Sequence, residues 1–216
     1  MHIPDGLISP QTYLPALVIA APLWLVARRR LQARLGDEML SRLTVLTALA
    51  LLLSTLMLPL PGGTSGHAVG VGLLALVFGP WIAFLAYSLV LLLQAVVVGA
   101  GGITALPVNA LAMGFVGGWT TVLLFAALRR FGEGPAVAIA VWCGVMSAAL
   151  LLALVLGLQP WIAQGPDGTP RFFPFGPAVT IPALLLPHAL IGAGEAALTL
   201  LVFRHARRRR WLEVPG

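Results

Sequence analysis

Met1 and His2 place three nitrogens on one short piece of backbone. The α-amine of Met1 and the amide nitrogen of His2 close a five-membered chelate ring on a metal ion. That amide nitrogen and Nδ1 of the His2 imidazole close a six-membered ring. The three nitrogens lie in one plane, and a single further ligand would complete a square. Square-planar nitrogen ligation favours Ni(II) or Cu(II) over Zn(II), Mg(II) or Ca(II). Many chains begin Met-His by chance, so the pair needs support from elsewhere in the sequence. The opening Met1-His2-Ile3-Pro4-Asp5-Gly6 is too polar and too short to read as a signal peptide, with no basic stretch ahead of an apolar core.

The other residues with chemistry to offer are scattered. They are Ser65, His67, Gln94, Asn109, His188 and Glu195. Gln94 and Asn109 also fit plain interhelical hydrogen bonding. His188 and Glu195, seven residues apart, share a helix face and are expected to pair structurally, or else to gate or orient a site. The single Cys143 lies in an apolar run, which excludes a disulfide framework and suits core packing.

The elements that must position these residues follow from composition. The chain has 216 residues, 59% of them hydrophobic and 9% charged, with a mean hydropathy of +0.98. A soluble domain carries roughly a quarter charged residues. The sequence therefore predicts an all-α, polytopic transmembrane helical bundle in a single membrane domain over 1–216. Within it, 1–10 is a metal-chelating segment, 11–203 the bundle and 204–216 an Arg-rich tail. Formal net charge is +6, and all 13 basic residues are arginine. They sit at the ends of apolar runs, which points to membrane topology and lipid contact rather than nucleic acid.

In chain order, Ser9-Pro10 reads as an N-cap and a first-turn proline. Spans are expected at about 11–27, 43–60, 68–78, 81–98, 106–128, 135–158 and 178–203. As one helix, 68–98 would reach about 46 Å at ~1.5 Å per residue, against a hydrocarbon core of ~30 Å. A break at Gly79-Pro80 resolves this, since proline disfavours helix in the residue before it. With seven segments every arginine except Arg171 falls on one side. The positive-inside rule then puts the N-terminus outside and the C-terminus in the cytoplasm of a multi-pass plasma-membrane protein. This arrangement gathers His2, His67, Gln94, Asn109 and His188 in the outer half. The proline-rich stretch 159–177 reads as a lid over that face or as a connector. Ala16/Ala20, Ala110/Gly114/Gly118 and Ala136/Ala140/Gly144/Ala148 have the spacing of close helix packing.

These residues resemble the nickel and cobalt substrate-binding membrane subunits (S components) of energy-coupling-factor (ECF) transporters. The resemblance runs from Met1-His2-Ile3-Pro4-Asp5-Gly6 through Gly62-Gly63-Thr64-Ser65-Gly66-His67, Phe78-Gly79-Pro80-Trp81 and Leu93-Gln94-Ala95. It continues through Gly101-Gly102-Ile103-Thr104-Ala105-Leu106, Asn109 and the stretch from His188 to Glu195. It implies that Met1, His2 and His67 hold the metal, with His67 as the fourth nitrogen. One departure is Pro107-Val108, where the family pattern more often has Gly-Ala, and it bears on any role for Asn109. The resemblance further implies a transmembrane coupling subunit, two cytoplasmic ATPases and, in some systems, a small additional membrane subunit. Ala16 and Ala20 are candidates for contact with the coupling subunit. A P-loop needs a lysine, and this chain has none, so ATP hydrolysis belongs to another polypeptide. The expected function is uptake of Ni(II) or Co(II), without enzymatic activity and with no cofactor beyond the transported ion.

Two other classes compete. Gly63-Thr64-Ser65-Gly66 has the Gly-x-Ser-Gly shape of rhomboid intramembrane serine proteases, with His188 as the imagined base, although a short motif without context is weak. A stand-alone nickel or cobalt permease would show His-x4-Asp-His in a helix, which is absent.

Overall fold

The computed structural model describes residues 2–55, 57–60 and 64–209, leaving aside the side chains of 58–60, 64 and 65. Among the described residues there are seven helical segments. They are α1 (Pro10–Gln32), α2 (Asp37–Thr55), α3 (Val71–Phe78), α4 (Pro80–Val98), α5 (Leu106–Phe131), α6 (Glu133–Ile162) and α7 (Pro177–Arg208). Six are long and apolar enough to cross a membrane, and α3 is the short exception. The break falls at Gly79, whose φ of 86° closes α3 before Pro80 opens α4. A positive φ is open to glycine without steric cost.

Several helix ends move from their expected places. The first span runs on through Arg28-Arg29-Arg30 to Gln32, because arginine is a good helix former and suits the negative end of the helix dipole. The second begins at Asp37, where two acidic residues fill its first turn, and ends at Thr55 instead of Leu60. Residues Leu58–Leu60 pair antiparallel with Thr64–Gly66 as a two-stranded hairpin, β1 and β2. Ser9 stands at the N-cap with Pro10 behind it, but its side chain makes no capping bond.

Two ends of the bundle emerge. At one, Arg34 donates to the carbonyl of Phe78 at 3.3 Å, and Arg207 pairs with Glu133. At the other, the amide of Ser9 donates to Gln159 Oε1 at 2.9 Å, and the amide of Phe173 donates to the carbonyl of Leu7 at 3.2 Å. Chain direction places His2, Gln94 and Asn109 toward this second end. The core rests on small-residue contacts. Gly114 lies against Phe84, and Gly117 of α5 lies against the carbonyl of Gly144 of α6, where added β-carbons would be 3.1 and 3.2 Å from their neighbours. Without a hydrophobic drive between helices in lipid, such close approach is what packing relies on. Ala20 is fully buried within the chain and Ala16 is half-buried. Cys143 is half-buried and unpaired.

Candidate metal site

Residues 2–9 are seated in the bundle at several points, although Pro4, Asp5 and Gly6 are exposed. Ile3 and Ile8 are fully buried and seat the segment in the bundle like two pegs. Asn109, 2% exposed, then clamps Ile3 by both amide groups: its Oδ1 accepts from the Ile3 amide and its Nδ2 donates to the Ile3 carbonyl, each at 3.0 Å. This is the hydrogen-bond pattern of a strand neighbour, supplied by a side chain. Pro107-Val108 therefore does not remove Asn109 from the site.

Asp5 supplies a second anchor. Its carboxylate accepts from the amides of Ile103 at 2.9 Å and Thr104 at 2.8 Å, and from the Thr104 hydroxyl. Burial pushes the Asp5 pKa up, but the bonds from Thr104, Ile103 and Ala105 together outweigh it and leave the carboxyl below its usual value. Room for this contact comes from Gly102, where any β-carbon would run into Asp5, and from Gly101, where one would lie 3.3 Å from His2 Cβ. Asp5 has no role assigned from the sequence alone. Its signal was the run of free amides at the start of α5, which a carboxylate can cap.

The clamps bring the His2 ring against His67. The rings stack with centroids 4.3 Å apart and planes inclined by 25°. The two imidazoles have bare inner nitrogens. His67 Nδ1 lies 2.9 Å from the carbonyl of Ala68. A carbonyl only accepts, so Nδ1 carries the proton and Nε2 the lone pair. Nε2 of both His2 and His67 is buried without a hydrogen-bond partner among the described residues. Burial lowers the His67 pKa to about 3 and holds that of His2 well below its ordinary value, where the neighbouring His67 lowers it further. Both rings are neutral near pH 7, the form that binds metal. Gln94, fully buried at the start of the π-helical turn Gln94–Val98, reaches the His2 ring and donates to Ser54 Oγ at 2.8 Å. Turns of this kind are frequent at functional sites.

His67 itself is held from α7. Glu195, 3% exposed, accepts from the amide of Val69 at 2.7 Å and of Gly70 at 2.8 Å. It thereby caps the start of α3 with a charge-assisted pair of bonds. The expected pairing of His188 with Glu195 does not occur: His188 Nδ1 donates to the Leu184 carbonyl at 2.6 Å in its own helix. A shared helix face is a necessary condition for pairing, and here other acceptors and donors lie nearer.

Two sequence candidates lie outside what is described, Met1 and the Ser65 side chain. The stretch 159–177 is helix up to Ile162, and its remainder crosses the N-terminal segment through the Phe173–Leu7 bond. A cavity of about 730 Å³ between α1, α2 and α4, lined by Trp24, Leu43, Leu51, Leu85 and Leu89, is almost wholly apolar and lacks the convergent donors of the His2 end.

Comparison with known proteins bears on this arrangement. The family model described as "Cobalt uptake substrate-specific transmembrane region" matches residues 2–212. A probable fused nickel transport protein of Lactiplantibacillus plantarum is 40% identical over 96% of this chain and 65% of its own length. A fused nickel transport protein of Rhodobacter capsulatus is 36% identical over 92% of this chain and 59% of its own. The chain thus spans less than two thirds of these fused relatives. A putative metal transport protein of Methanocaldococcus jannaschii is 36% identical over 97% of this chain and 93% of its own. A crystal structure described as a truncated transition metal transporter superposes with a TM-score of 0.92 at 33% identity, covering 97% of this chain and 99% of that one.

Proposed function

Since the chain belongs to the family of cobalt uptake substrate-specific transmembrane regions, we propose that it binds Ni(II) or Co(II) as the substrate-specific subunit of an ATP-driven metal importer. The observation that carries this reading is the pair of stacked imidazoles, His2 and His67, with the Nε2 of His67 buried and without a partner among the described residues. At 4.3 Å between centroids, the rings are close enough for one nitrogen of each to reach a single ion at about 2 Å. They must turn out of their stack to do so. Among the described residues no three His, Cys, Asp or Glu side chains converge on a metal position. The remaining donors are then backbone nitrogens, the α-amine of Met1 and the amide of His2. The ion is cargo and no resident cofactor is invoked. Nickel leads because a deprotonated amide and a planar nitrogen set suit it, and cobalt follows because relatives named for both metals match the chain.

The same reading assigns energy coupling to other polypeptides, a membrane coupling subunit with cytoplasmic ATPases of the ECF type. It places His2 outside and the arginine-rich end in the cytoplasm, following the positive-inside rule. Both competing classes lose ground. The family and the relatives named above are metal transport proteins, which supports neither a protease nor a need for the permease motif.

Acetylating the Met1 amine is the decisive test, because it adds no residue and shifts no register. Ni(II) and Co(II) affinity are expected to collapse, with loss of the planar d–d band. Unchanged affinity and spectrum would overturn the four-nitrogen site.

A further inference from the structure

One buried histidine is left unused by the site described above. His188 is 2% exposed, and its Nδ1 proton is spent on the Leu184 carbonyl at 2.6 Å. Its Nε2 therefore carries a bare lone pair, buried and without a partner among the described residues. A buried acceptor left unsatisfied is costly and calls for an explanation. His67 shows the same device, with Nδ1 held by a carbonyl and Nε2 bare.

Register places the two histidines near one level. Glu195 fixes Val69 and Gly70 against α7. Residues 67–69 link β2 to the start of α3, and His188 lies seven residues before Glu195 on α7. Seven residues of helix rise about 10 Å, and three residues of chain can span up to about that distance at ~3.3 Å each. His188 is nevertheless no third side-chain ligand of the outer site, because no three such groups converge among the described residues. Further along the same core, the Tyr87 hydroxyl is fully buried and has no hydrogen-bond partner among the described residues.

We propose that His188 Nε2 is a second metal ligand inside the bundle, a station that receives Ni(II) or Co(II) from His67. This rests on the transport reading for its purpose, though not for its chemistry. An imidazole with its tautomer locked and its lone pair desolvated is a ready ligand for a late divalent ion. Ionisable groups within membrane-spanning helices often mark ion pathways.

The test uses the full chain with the outer chelate disabled. Co(II) titration of the His2→Ala protein is expected to reveal a weak residual site, and X-ray absorption to count the imidazoles on it. In His2→Ala/His188→Ala and His2→Ala/His188→Gln the residual affinity is expected to fall at least tenfold, with one imidazole fewer. Thermal midpoints of the metal-free variants, matched within the series, separate lost ligation from lost folding, and the Gln variant preserves bulk and polarity. A residual site with the same affinity and imidazole count in the presence and absence of His188 would overturn the proposal, as would the absence of any residual site. Failure of the transport reading shows differently, as wild-type binding that ignores His2.

Discussion

The segment carrying His2 is tied to α5 and α6, through Asn109, through the bonds of Asp5 to residues 103–105, and through Gln159 on the Ser9 amide. The segment carrying His67 is tied to α7, through the two bonds of Glu195 to Val69 and Gly70. The first set of anchors is distributed, and part of it lies in solvent, since Asp5 is exposed. The second is concentrated in one buried carboxylate. The site forms where two independently held segments meet, so a shift of α7 against α5 and α6 would carry His67 away from His2 without breaking either set of anchors. That is a means of changing affinity by moving one element as a unit. It also predicts unequal responses to substitution on the two sides.

The largest effect is expected from Glu195. Glu195→Gln keeps the shape but gives one of the two amides an NH2 group to face in place of an oxygen, inside the bundle. Groups that orient metal ligands typically cost 10–100-fold in metal affinity when removed, and a loss of that order is expected in Ni(II) titrations. The sharper form is a double-mutant cycle. If Glu195 acts through His67, then Glu195→Gln costs little more once His67→Ala is present. Additive losses would show that Glu195 supports the bundle in general.

Asn109→Ala comes next. It leaves the Ile3 amide and carbonyl unpaired in a buried place, a cost of about 1–3 kcal/mol for each group left unsatisfied. Part of that is recovered by letting the N-terminal segment lift into water. The expected outcome is faster hydrogen exchange over residues 2–9 and weaker binding, with exchange over 67–70 unchanged. If both segments loosen together, the independence of the two halves fails.

Asp5→Asn should have a smaller effect, because the carboxylate is exposed and its bonds compete with water. A few-fold loss of Ni(II) affinity is expected, together with faster exchange at Ile103 and Thr104. An effect as large as that of Glu195→Gln would contradict the contrast between a distributed and a concentrated anchor.

Acidification gives the smallest and broadest signal. His67 is lowered to about 3 and His2 is also lowered, both primarily by burial. Between about pH 3 and the unperturbed histidine value near 6.5, the unfolded chain binds more protons than the folded one. Stability therefore rises with pH across that window and falls as pH drops through it. The thermal midpoint of the metal-free protein should decline steadily below pH 6.5, and less so in His67→Ala. A flat midpoint down to pH 4 would show that the rings are more hydrated than their burial implies.

The sequence by itself determined the features that depend on short stretches of chain. Seven apolar segments, the stop at Gly79-Pro80 and the gathering of arginines were all legible, because hydropathy and helix-breaking are properties of neighbouring residues. His2 stood out through its place beside the Met1 amine, and His67 as an ionisable group at the edge of an apolar run. Helix ends were less legible, since Arg28-Arg29-Arg30 could equally stop α1 or extend it, and Asp37 could lie in a loop or open α2. Only the tertiary structure decided what each polar group holds. Asn109 meets Ile3 across 106 residues and Glu195 meets Gly70 across 125. No local pattern encodes such partners, because they follow from which helix faces meet. That is why His188 and Glu195, paired by spacing on one helix, are separated in the fold: the carboxylate is drawn to free amides at the start of α3, and the imidazole to its own helix, each taking the nearest group that satisfies it.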